Sequence, residues 1–82
     1  MGEGDVGMII GEIRRRVSAL RSRDVLPRHV LLLDLRRWAH SQGIPRSRLD
    51  RCLDMLRRSG RIEVGRTLND FWIRPVEDGE TK

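Results

Sequence analysis

Arginine is the residue type with the most chemistry to offer in this chain, and its spacing gathers that chemistry on one stretch. Within residues 45–59, Leu49, Cys52, Leu53 and Leu56 recur at helical spacing and form one apolar face. The opposite face carries Ser47, Arg51, Asp54 and Arg58, with Arg48 at its edge and Arg46 in the first turn. A guanidinium is planar, always charged and forked, so it grips paired oxygens or the O6 and N7 atoms of guanine through two hydrogen bonds. Arg46, Ser47, Arg48 and Arg51 fall on the first two turns and are candidates for reading base edges. Arg28, Arg57 and Arg58 are candidates for phosphate contacts, which position a protein without reading sequence. Arg66, Thr67 and Asn69 follow in a polar turn and can touch phosphates or enter a narrow groove. The competing reading for each is a solvated side chain. Asp50 and Asp54 lie one helical turn from Arg46 and Arg58, so they can pair along the helix and hold those arginines in place.

Other chemistries find no constellation. His29 and His40 have no carboxylate or thiol at ligand spacing, so a zinc site is not expected. Cys52 falls on the apolar face and reads as a core residue, not a nucleophile. No glycine-rich phosphate loop is present, and Asp50 with Asp54 reads as a salt-bridged surface, not a catalytic pair. The expectation is a protein that is not an enzyme, with no cofactor, no metal and no small-molecule ligand.

Charge points the same way as the arginines. The chain of 82 residues has a formal net charge of +5. Between Gly11 and Arg74 sixteen arginines face seven carboxylates, a surplus of nine, and the remaining acids lie towards the two ends. A basic body of this size suits a polyanion, above all nucleic acid. The near absence of lysine fits the plainer alternative, a solvated surface rich in arginine. The length suits a single domain, residues 1–82, which buries only about 60% of its unfolded surface and so has a small core. No signal-peptide pattern, membrane-spanning run or second cysteine is seen, and a cytoplasmic location is expected.

The elements that must position these residues can be read from apolar periodicity. Val6, Ile9, Ile10, Ile13, Val17 and Leu20 form one stripe of a first helix, with Asp5 as its N-cap. Arg14, Arg15 and Arg16 in its second half suit the negative end of the helix dipole. Residues 21–24 read as a polar connection, and Val25-Leu26 as a short strand. Pro27 marks the start of a second helix to Ser41, with Leu31, Leu35 and Trp38 facing the core and Val30 and Leu33 turned away. Gly43 suits the left-handed residue that ends this helix, Ile44 a buried plug, and Pro45 the opening of the third helix. Gly60 ends the third helix in the same way. Residues 61–64 and 71–74 alternate as a hairpin with Ile62 and Val64 inward; the turn between them offers Asn69 and Asp70 for positive φ, and Pro75 stops the pairing. Whether Phe71 or Trp72 points inward depends on register, which the turn leaves open. The ordered core is expected over residues 5–75, with flexible tails at 1–4 and 76–82.

Ala39, Gly43, Ile44, Leu49 and Cys52 at their relative spacing, followed by Gly60-Arg61-Ile62-Glu63-Val64 leading into a hairpin, resemble the winged helix-turn-helix family. The chain departs from the family pattern at Gln42, where an apolar residue is more usual, and in the acids Asp50 and Asp54. The resemblance spans roughly residues 26–75. It implies a mainly α fold with a small β hairpin (α+β), in the order α-(β)-α-α-β-β. It further implies a recognition helix at 45–59 that enters the major groove of double-stranded DNA, a wing at 61–74, and a role as a small transcriptional regulator, sequence-specific or general. Because one small unit binds weakly, a homodimer on two half-sites is a further expectation. The alternative is a protein–protein adaptor on the same fold, with RNA binding a third possibility.

Overall fold

Among the described residues three helices and three strands follow one another as α1 (Glu3–Ser22), β1 (Val30–Leu31), α2 (Leu32–Ser41), α3 (Arg46–Arg58), β2 (Ile62–Arg66) and β3 (Phe71–Pro75). The computed structural model describes residues 3–24 and 29–76. The strands form one antiparallel sheet in the order β1-β3-β2, with Val30 opposite Ile73 and the hairpin running from Ile62 opposite Pro75 to Arg66 opposite Phe71. Helices and sheet together make a compact α+β domain.

The core follows from which faces are apolar. The α1 stripe, Ile9, Ile10, Ile13 and Val17, packs with Leu35 and Ala39 of α2, Leu49, Cys52, Leu53 and Leu56 of α3, and Val30, Ile62 and Ile73 of the sheet. Most of these side chains are essentially sealed from solvent, Ile9, Ile13, Leu49 and Cys52 among them. The corner between α2 and α3 is closed as its residues suggest. Gly43 takes φ +76°, its N–H bonds the His40 carbonyl at 3.1 Å, and the Ile44 N–H reaches back to Ala39 at 2.9 Å. Ile44 is buried beneath that turn. The end of α3 repeats the arrangement: Gly60 at φ +78° bonds Arg57, and Arg61 reaches back to Leu56 at 2.9 Å. In both, a left-handed glycine lets two backbone donors satisfy the carbonyls that the helix end leaves open.

Several boundaries differ from the sequence reading. The first helix begins at Glu3, so Gly4 is helical and Asp5 lies inside the helix instead of capping it; the helix also continues to Ser22. Val25, Leu26, Pro27 and Arg28 lie outside the described residues, and so does the strand expected at Val25-Leu26. The strand that joins the hairpin is Val30–Leu31, and α2 starts only at Leu32. Strand alternation therefore sets the burial here, with Val30 buried against Ile73 and Leu31 turned out, the reverse of the helical-wheel expectation. Leu33 is half exposed, as expected.

The hairpin is longer than residues 61–64 suggest, since β2 runs on through Gly65 and Arg66. Pro75 does not stop the ladder: it pairs with Ile62, and the Val76 N–H still bonds the Arg61 carbonyl at 2.9 Å. The missing N–H of Pro75 falls on the side away from β2, so the ladder to β2 loses no hydrogen bond. Phe71 shares the helix-facing side with Ile73, while Trp72 lies on the outer side across Gly65, stacked with His29 at 5.6 Å between ring centres. Val64 points to the helix side but sits at its margin, 37% exposed. The turn is built without positive φ at Asn69 or Asp70; side-chain hydrogen bonds close it instead.

Candidate nucleic-acid interface

The buried row Leu49, Cys52, Leu53 and Leu56 anchors α3 and turns its other side outward. Arg46, Ser47, Arg48, Arg51, Arg57 and Arg58 are all exposed there. They are not equally available. Arg46 lies 3.9 Å from Asp50, which also attracts Arg36 of α2 at 3.8 Å. Asp54 holds two arginines at once, Arg57 at 3.1 Å and Arg58 at 3.0 Å. Arg48 crosses to α1 and bonds Asp5 at 3.2 Å. Arg51, in the middle of the exposed side, has no carboxylate partner among the described residues.

The Arg46–Asp50 and Asp54–Arg58 pairs match the four-residue spacing in the sequence, and Arg57 adds a pair at three residues from Asp54. The links to Arg36 and Asp5 match no such spacing, because they join residues far apart in the chain. Asp5 was missed as a partner because its sequence position suggested a helix cap. These ion pairs are solvent-exposed, so each contributes at most about 1 kcal/mol and can exchange for a phosphate. The interface they leave is a partly self-compensated one, with five arginines against two aspartates on α3.

At the hairpin, Arg66 is exposed and its guanidinium sits 5.8 Å from the centre of the Phe71 ring. Asn69 is exposed at the turn. Thr67 is committed to structure: its hydroxyl accepts the Asp70 N–H at 2.8 Å, and its own N–H donates to the Asp70 carbonyl at 2.8 Å. Asp70 was expected only as a turn former. Its carboxylate also accepts the Phe71 N–H at 2.7 Å and the Leu33 N–H at 3.3 Å, so the hairpin caps the start of α2, which has no cap of its own. That bond ties the hairpin to the helix pair. Arg28 lies outside the described residues.

Among the described residues three titratable groups depart from ordinary behaviour: Glu12, its partner Arg15, whose guanidinium is raised by the same hydrogen bond, and Cys52. Hydrogen bonds from Arg15, at 2.6 Å, and then Arg16 lower the Glu12 carboxyl below its usual range, although burial pushes the other way. Burial chiefly, with the nearby Asp5 charge, raises the Cys52 thiol, which keeps it neutral and unreactive. Arg15 and Arg16 on α1 are thus occupied by Glu12, while Arg14 stands on the exposed side. Among the described residues no helix is long and apolar enough to cross a membrane. Comparison of the chain with models of protein families, with curated proteins and with solved structures found no match.

Proposed function

We propose that the chain is a winged helix-turn-helix domain that binds double-stranded DNA, with α3 in the major groove and the β2–β3 hairpin as the wing, and that it serves as a small transcriptional regulator. The element order, the glycine corner at Gly43 and the strand order β1-β3-β2 support the fold assignment. The observation that carries the function is Arg51, exposed at mid-helix with no carboxylate partner among the described residues, between Ser47 and Arg58 on the outward side. In this reading Arg51 reads a base edge, and Ser47 lies within the same reach. Arg46, Arg48, Arg57 and Arg58 exchange their carboxylate partners for phosphates, and Arg66 and Asn69 make the wing contact while Thr67 closes the turn that presents them. A homodimer would place two such helices on half-sites about one helical turn apart.

The test is titration of a mixed-sequence duplex at several salt concentrations, followed by nuclear magnetic resonance. Binding that weakens as salt rises, with signals from Arg46, Ser47, Arg51 and the wing moving together, is the expected result. Absence of binding at low salt, or binding indifferent to salt, removes the reading.

A second reading has an observation of its own. A groove of about 280 Å³ between α2, α3 and the hairpin has an apolar floor of Leu32, Leu53 and Ile73, and half-exposed Phe71 and Val64 at its edge. Such a groove suits an adaptor that binds a protein partner. Arg51→Glu separates the two, because it abolishes DNA binding and leaves a partner in the groove unaffected.

A further inference from the structure

Among the described residues the most exposed large apolar side chain is not in the groove but at the tip of the hairpin, where Leu68 is 95% exposed. Its neighbours are polar: Arg66 and Thr67 precede it, Asn69 and Asp70 follow. A lone leucine on a polar turn is a poor anchor for a protein surface, which needs a contiguous apolar patch. The same set of side chains suits the minor groove of DNA. Arginine and asparagine meet its acceptor-lined floor, and a single aliphatic wedge can slip between two base pairs and unstack them.

The turn that carries Leu68 is held at its base. The hydrogen bonds between Thr67 and Asp70 close it, and the second Asp70 carboxylate oxygen fastens it to the start of α2. Arg66 is kept over the Phe71 ring, alongside the tip, with no carboxylate partner among the described residues. The wedge is therefore presented from a fixed base, as unstacking requires, because a limp loop would fold back before it separated two bases.

Resting on the DNA-binding reading above, we infer that the protein also bends its duplex, with Leu68 as a minor-groove wedge flanked by Arg66 and Asn69. The favoured step is TA, which unstacks most easily and has no guanine amino group on the minor-groove floor. Insertion of this kind opens a bend of about 20–90°.

The test uses the full chain and a duplex labelled at both ends with a donor–acceptor dye pair, so that binding and end-to-end distance are read together. The wild type shortens the distance. Leu68→Ala keeps binding within about tenfold, the order of a single lost contact, but leaves the duplex straight. Leu68→Met restores the bend, since methionine also serves as a wedge. A TA step replaced by a GC step reduces the bend in the wild type alone. A straight duplex under bound wild type, or an equal bend under Leu68→Ala, overturns the wedge and leaves α3 binding standing. Failure of the wild type to bind the duplex at low salt overturns both. Because Leu68 is almost wholly in solvent, none of these substitutions touches the core.

Discussion

Cys52 shows how much of a residue's chemistry is set by what surrounds it. Its thiol is sealed within the core and raised by burial, so the thiolate that would attack an alkylating reagent is scarce and unreachable. In the folded protein iodoacetamide should leave Cys52 unmodified over the time in which it labels the urea-unfolded chain fully, as read by mass spectrometry. Cys52→Ser buries a hydroxyl in the same apolar site and should cost about 1–3 kcal/mol in urea unfolding. Glu12 is the opposite case, a carboxylate kept charged near the core by Arg15 and Arg16 on its solvent side. Its folded pKa lies below the ordinary 4.5, so the stability it contributes is present above that value and is lost as pH falls through the lowered one. Glu12→Gln should therefore destabilise the protein modestly at pH 7, and the two proteins should converge as the solution is acidified. Urea midpoints across the pH range measure this, and a difference independent of pH would contradict it.

Elements are fixed here by backbone conditions that side-chain patterns report unevenly. Gly43 has open space where a Cβ would stand, but its φ of +76° strains any other residue. Gly43→Ala should lower stability by about 1–2 kcal/mol without altering the fold. Gly65 is constrained by contact instead: a Cβ there would lie 2.2 Å from the Trp72 ring. Gly65→Ala must displace the indole from its place against His29, so the indole N–H nuclear magnetic resonance signal of Trp72 should shift, whereas Gly43→Ala leaves that signal alone. The corner at Gly43 was legible from the sequence because a glycine after a helical stripe has one main use. The helix register of α3 was legible because four buried residues repeat over its whole length. The start of α2 was not, since Val30 and Leu31 fit either a helix or a strand, and only pairing with Ile73 and Trp72 on the distant hairpin decides between them. Pro75 misled for a related reason: whether a missing N–H matters depends on which side of the strand it faces. In the candidate site the arginines were readable by type and face, but their partners were not. The ion pairs of Arg48 with Asp5 and of Arg36 with Asp50 join separate elements, and no local spacing encodes them.

At the scale of the whole molecule the formal charge of +5 is already the difference between 17 basic and 12 acidic residues, and several of those carboxylates lie against arginines, so a polyanion meets fewer unpaired guanidiniums than the arginine count suggests. Asp54 is the centre of this compensation on α3, since one carboxylate occupies Arg57 and Arg58 together and sits on the outward side beside Arg51. If α3 lies on DNA, as proposed, this negative charge opposes phosphate, and Asp54 releases its arginines only where the gain elsewhere is large enough. Under the DNA-binding proposal, Asp54 therefore suppresses indiscriminate binding. Asp54→Asn removes that opposition while keeping a side chain of the same shape on the helix. It should raise affinity for random-sequence duplex and steepen the dependence of log K on log salt by about one, the slope of one added phosphate contact. Arg51→Ala should do the reverse at a preferred site, with a loss of about 1–3 kcal/mol confined to sequences carrying the base it reads. Fluorescence anisotropy of labelled duplexes between low and physiological salt distinguishes the two effects. An unchanged slope for Asp54→Asn would mean that Arg57 and Arg58 do not face DNA, and that α3 meets its partner through Arg51 and the first turn alone.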